Sequence, residues 1–169
     1  MSLAHRMATE DDLPAIDRVF RTGFCDTFAQ MYRSEDLDAF FAQFSPEAWL
    51  AEYRDPRYAF RIAEGPEGAV AFVKLGPLTV PVEPAGPALE LRQIYVLRPW
   101  QGTGIAEQLM DWALAESRAR GIAELYLTVF TGNHRARAFY RRYGFADVGP
   151  YAFMVGSQAD EDIIMRLAL

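Results

Sequence analysis

The sequence predicts an α/β fold of the mixed α+β kind: one domain spanning residues 1–169, with a mostly antiparallel central sheet and helices on both of its faces. Three observations lead there. The 169 residues are 51% hydrophobic and 24% charged, enough for one buried core and unlike a disordered or membrane-embedded chain. Segments of helical period come first, then three of strand character, then a helix that must cross back to a further strand. That crossing begins at Gln101-Gly102-Thr103-Gly104, where a strand runs through a glycine-bearing turn straight into a helix.

Taken in order, Leu3–Met7 reads as a short first strand. Thr9 followed by Glu10, Asp11 and Asp12 opens a helix with acidic residues at its positive end, and Leu13, Ile16, Val19 and Phe20 follow at helical spacing. Ser34-Glu35-Asp36 and Ser45-Pro46-Glu47 start two short helices, whose buried faces are Leu37, Phe40, Phe41 and Trp49, Leu50, Tyr53. After Asp55-Pro56, the strands Tyr58–Ala63, Ala69–Leu75 and Ala88–Leu97 form an antiparallel meander, the first two joined by a Gly-Pro-Glu-Gly turn. Proline and glycine break up Gly76–Pro87, which is expected to be an exposed irregular loop. Ile105–Arg120 is the strongest helix, with Leu109, Met110, Trp112, Ala113 and Leu114 on its apolar face and Gly121 as its stop. Glu124–Phe130 is a strand and Asn133–Tyr143 a helix ended by Gly144; Phe145–Val148, Phe153–Val155 and Asp162–Leu167 close the sheet.

Composition narrows the chemistry. Cys25, the single cysteine, lies in the apolar run Val19–Phe28, where a small core residue is expected, and with only His5 and His134 beside it no metal site is expected. A net charge of −6 disfavours a nucleic-acid partner and mildly favours a cationic small substrate. No apolar stretch approaches the roughly 20 residues of a bilayer span, and Met1–Glu10 lacks the apolar core of a secretion signal, so a cytoplasmic protein with no membrane partner is expected.

The first turn of a helix leaves N–H groups without internal partners and carries partial positive charge, so the turn before Ile105 can receive a pyrophosphate on backbone alone where Gly102 and Gly104 allow close approach. A P-loop would need Gly-Lys-Ser/Thr, and a dinucleotide fingerprint a third Gly or Ala where Glu107 stands; neither is met. Glycines serving only a tight connection explain the turn about as well. The run Gln101-Gly102-Thr103-Gly104-Ile105-Ala106 resembles the Q/R-x-x-G-x-G/A signature of the GNAT acetyltransferase superfamily, in the position after a strand that the family requires. Asn133-His134-Arg135-Ala136-Arg137-Ala138-Phe139-Tyr140 and then Tyr143-Gly144-Phe145 resemble its second segment. The ending, Phe153–Gly156 and Asp162–Met165, is similar to that of the polyamine-acetylating subgroup.

The resemblance implies a transferase that uses acetyl-coenzyme A, whose thioester is attacked directly by an amine, and three chemical requirements follow. The amine must be neutral, yet at a pKa of about 10.4 only about one molecule in 2,500 is so at pH 7, a cost of about 4.6 kcal/mol. Glu90, on the strand leading to the glycine turn, is the candidate base; an ordinary pairing with Arg92 is its alternative. The tetrahedral oxyanion needs a donor, which the resemblance places on the backbone N–H near Val96, while Tyr95, Val96 and Leu97 are implied to pair with the pantetheine arm as an added strand would. The departing thiolate needs a proton, and Tyr140 stands in the family's tyrosine position; a core tyrosine beside Phe139 is the alternative. Asn133 resembles the pantetheine-contacting residue and is equally an N-cap.

The acceptor is expected to be a primary amine on a small molecule. A protein or peptide amine, and a domain that binds acyl-coenzyme A without turnover, are the other readings. The acceptor pocket is expected from Thr27–Arg54 and Gly76–Pro87; Glu35, Asp36, Asp38 and Glu83 are read as solvated faces, and a homodimer stays open.

Overall fold

A computed structural model describes residues 3–169. Its sheet has seven strands in the order β1-β2-β3-β4-β5-β7-β6. The strands are β1 (Ala4–Met7), β2 (Ala59–Gly65), β3 (Gly68–Gly76), β4 (Ala88–Val96), β5 (Glu124–Phe130), β6 (Ala146–Val155) and β7 (Gln158–Ala168). Every neighbouring pair is antiparallel except β4 with β5, the pair joined through a helix, since a parallel return needs a crossover.

Helices α1 (Leu13–Phe28), α2 (Ser34–Phe41) and α3 (Pro46–Arg54) cover one face; α4 (Ile105–Ala119) and α5 (His134–Arg142) cover the other. The core is accordingly in two layers. Phe20, Phe24, Phe40, Trp49 and Phe72 fill the first, and Leu109, Met110, Ala113, Leu125 and Met165 the second. Alternation along β3 separates them: Phe72 faces α1 while Ala71 and Val73 face α4.

The anticipated order of elements is present, with three differences. β6 is one strand, not two, and a register shift between Asp147 and Gly149 accommodates the Gly149-Pro150 pair that reads as a break. Because β6 is the sheet edge, Pro150 interrupts no inner ladder. The segment 77–87 is irregular but anchored, since Val80 is buried against Tyr126 and Ile164 in a small third cluster. Asp36 is not solvated: it is buried, and its Oδ1 accepts hydrogen bonds from the Ser157 N–H and hydroxyl, both at 2.8 Å, which ties α2 to the β6–β7 turn. Cys25 is half-buried in α1, and burial pushes its thiol up.

Candidate active site

The site begins where two strands part. β4 and β5 are in register only at Ala88 with Glu124, Leu89 with Leu125 and Glu90 with Tyr126; from Leu91 onward β4 has no partner on that side. A bulge begins the divergence, because Leu75 pairs with Leu91 and Lys74 with Gln93, leaving Arg92 as the extra residue. The Leu97 N–H bonds to the Val70 carbonyl at 2.9 Å, so it points toward β3. Backbone groups alternate along a strand, and the Val96 N–H therefore points to the open side. The Val96 carbonyl, on that same side, accepts a bond from Gln101 Nε2 at 3.0 Å.

Beyond β4 the chain makes a single 3-10 turn, Arg98–Trp100, and then the exposed turn 101–103 before α4. Gly102 and Gly104 have φ of +74° and +85°, the left-handed region that favours glycine, and Gly104 is the residue that opens α4. A Cβ at either position would meet nothing within 4 Å, so the turn faces open space. Arg135 reaches it with an Nη1 bond to Gln101 Oε1 at 3.1 Å, and Arg142 lines the same recess. Free amides, a helix N-terminus and two nearby guanidiniums suit a pyrophosphate.

From the parted strands a cleft of about 410 Å³ runs toward α1 and α2. Tyr140 enters it from α5, and burial pushes its phenol up to about 12. Asn133 lines the cleft and also caps α5, its Oδ1 accepting the Ala136 N–H at 3.2 Å. Glu90 is buried in the cleft; its Oε2 accepts the Thr79 N–H and hydroxyl, each at 2.8 Å, and its Oε1 lies 3.9 Å from Arg92 Nε. The Thr79 contact is absent from the sequence expectation because it comes from the anchored loop.

Sequence reasoning missed three more groups. Lys74 is buried under Trp49, 4.7 Å from the ring, and ion-paired with Glu52 at 3.1 Å; burial pulls its ammonium down to about 8. Asp160 and Asp162 on β7 both line the cleft and are buried. Asp160 accepts the Tyr32 hydroxyl and Gln158 Nε2, the latter at 2.9 Å. Burial, and then the charge of Asp160, push the Asp162 carboxyl up to about 7, with the Thr128 hydroxyl opposing them. A signal for them exists in the sequence: Asp160 and Asp162 are in period-two register with Ile164, which puts them on its face of β7.

Sheet and cleft together define a class, an acyltransferase-like domain with a wedge between two parallel strands and an anion-receiving turn at its mouth. The family model described as the acetyltransferase (GNAT) family matches residues 21–145, and the chain belongs to that family, an N-acetyltransferase of the GNAT kind. The chain is 27% identical over 163 residues to a protein named an uncharacterised N-acetyltransferase from Lactobacillus delbrueckii subsp. lactis, covering 95% of this chain and 94% of that one. It is 32% identical over 119 residues to a protein named an uncharacterised N-acetyltransferase from Mycobacterium tuberculosis (strain ATCC 25618 / H37Rv), covering 70% of this chain and 72% of the relative. Among solved structures, the PaiA N-acetyltransferase of Thermoplasma acidophilum in complex with coenzyme A superposes with a TM-score of 0.79 over 100% of both chains, at 21% identity, a likeness of fold.

Proposed function

We propose that this chain transfers the acetyl group of acetyl-coenzyme A to a primary amine of a small molecule by direct attack, with Tyr140 protonating the departing sulfur. The observation that carries this is the unpaired edge of β4 from Leu91 to Val96, whose Ile94 and Val96 line one recess with Tyr140, Gly102 and Ala106. The backbone of Tyr95–Leu97 offers an extended arm a strand to lie against, and Val96 N–H, on the open side, is the oxyanion donor. Gln101, Gly102, Thr103, Gly104, Ile105 and Ala106 form the pyrophosphate turn, and Asn133 contacts the arm. The coenzyme supplies an activated acyl group when bound. Tyr140 at about 12 gives a proton to a thiolate of ordinary pKa about 8.5 only against ~5 kcal/mol, but burial raises the thiolate as well and narrows that gap. Glu90 borders the same cleft, its Oε2 bonded by Thr79 and its Oε1 beside Arg92.

The test is release of free thiol from acetyl-coenzyme A across spermidine, an aminoglycoside, amino acid amides and short peptides. Small-amine-dependent release is expected. Tyr140→Phe should lower kcat by ten-fold or more while the coenzyme A Kd stays within two-fold. Equal kcat in both proteins removes Tyr140 from the mechanism, and release with peptides alone moves the acceptor class to proteins.

A further inference from the structure

Building on that reading, we propose that Asp162 takes the proton from the reacting ammonium, and that Asp160 holds the cation beside it, so that the acceptor lies against β7 rather than against Glu90.

Among the described residues five carboxylates are buried: Asp36, Glu90, Glu124, Asp160 and Asp162. Four are occupied by hydrogen bonds. Asp36 is bonded by Ser157, Glu90 by Thr79, Glu124 by Arg166 and the Ala85 N–H, and Asp160 by Tyr32 and Gln158. Asp162, with 6% of its surface exposed, has only the Thr128 hydroxyl to oppose its burial, and no cation among the described residues acts on it. A buried carboxylate without a cation is costly, and such a group facing a cleft is completed by a cation that enters the cleft. The cleft's own cations do not serve. Lys74 is paired with Glu52, and Arg92 lies beside Glu90, so the uncompensated negative charge is at the β7 end.

Position agrees. Asp162, Tyr140 and Tyr95 line one cleft, and both Asp162 and Tyr140 act electrostatically on the buried Tyr95 phenol. Tyr140 belongs to the layer under α4 and α5, whereas Asp160 and Asp162 line the cleft with Tyr32, from the other face. The gap between β4 and β5 is where the two layers meet. The titratable groups that line the cleft with Asp162 are Asp160 on its own strand, Tyr32 after α1, Glu52 on α3, Lys74 on β3, Glu90, Arg92 and Tyr95 on β4, Tyr140 on α5 and Tyr151 on β6. At about 7, Asp162 closes roughly half of the gap between an ordinary aspartate and an amine of about 10.4.

The protons balance. Asp162 receives one proton from R–NH₃⁺ and later releases it to water. The neutral nitrogen forms its bond to the acyl carbon and the C–S bond breaks. Tyr140 gives its proton to sulfur and recovers one from the nitrogen, leaving amide and thiol.

The test is the pH profile of kcat/KM with acetyl-coenzyme A and spermidine, and with benzylamine in parallel, for the wild type, Asp162→Asn, Asp162→Glu and Glu90→Gln, each with its coenzyme A Kd measured. The expected result is an acidic limb near pH 7 that persists in Glu90→Gln and Asp162→Glu but vanishes in Asp162→Asn, whose kcat/KM at pH 7.5 falls about 100-fold with coenzyme A Kd unchanged. An acidic limb retained by Asp162→Asn and lost from Glu90→Gln overturns the proposal while leaving the acetyltransferase reading intact. No thiol release by the wild type with either amine, with coenzyme A still bound, overturns the small-amine reading and this proposal together.

Discussion

Asp162 also matters to stability, and the sign can be worked out. Its folded pKa of about 7 is above the ordinary aspartate value of 3.8, so between about pH 4 and pH 7 the folded chain holds a proton the unfolded chain has lost. Stability from this group therefore falls as pH rises through that window, and the full cost is present above pH 7. Asp162→Asn removes that cost. The variant is expected to be more stable than wild type at pH 8 by on the order of 2 kcal/mol, or roughly 4–8 °C in Tm, with little difference at pH 4. A lower Tm at pH 8 would mean that the carboxylate has a cation partner the structure does not show. Lys74 gives the opposite slope: its pKa is pulled from 10.5 to about 8, so its cost is relieved as pH climbs from 8 toward 10.5, and a scan confined to pH 4–8 keeps most of it out, while the difference between wild type and Asp162→Asn removes groups common to both, such as His5. At this scale the sequence was legible wherever a residue's role is local. Gly102, Gly104 and Asn133 follow from turn and cap chemistry, whereas Asp162 and Lys74 owe their character first to burial under residues far along the chain.

Among elements, α1 shows packing overriding propensity. Gly23 lies inside the helix, where replacing glycine with alanine normally stabilises by about 1 kcal/mol. Here a Cβ would be 2.8 Å from Tyr95 Cδ1 and 3.5 Å from Tyr95 Cβ, so the ring base rather than a flexible tip must move. Tyr95 is in turn held by Phe72, stacked at 6.0 Å, and by the edge of Phe20 at 5.4 Å. Overpacking of roughly 1–3 kcal/mol outweighs the helix gain. Gly23→Ala is thus expected to lower the denaturant midpoint and, by shifting β4, to reduce kcat/KM; a stabilised, fully active variant would show that Tyr95 is not fixed by α1. Helical spacing around Val19 and Phe20 makes α1 visible in the sequence, but the reason for a glycine at 23 is a contact with residue 95. β6 is divided in the sequence, as Phe145–Val148 and Phe153–Val155, for a related reason: Gly149-Pro150 between them breaks a strand by local rules and is tolerated because the sheet puts that strand at its edge.

Over the whole molecule, function depends on something the sheet does not do. Six strand pairings are formed, and the one parallel pairing stops after Glu90, leaving the β4 amides of the open side and the first amides of α4 without partners. Paired strands have sequence signatures in alternation and turns, but a separation between strands has none, since it arises from the bulge at Arg92 and from the side chains filling the wedge. If coenzyme A completes this gap as an added strand and seats its pyrophosphate on the turn, binding should be read out there and not across the domain. Saturating coenzyme A at about 100 times its Kd stabilises a binding-competent fold by about 2.7 kcal/mol, equivalent to a rise of roughly 5–10 °C in Tm for a chain of this size. Hydrogen exchange in the same sample should slow most at Ile94, Val96 and Gly102–Ala106, and no more at β6 than global stabilisation requires. A Tm rise with protection spread evenly would put the coenzyme elsewhere. Protection at the turn without any at Val96 would keep the pyrophosphate site and remove the strand-like arm, and with it the placement of the thioester between Tyr140 and Asp162.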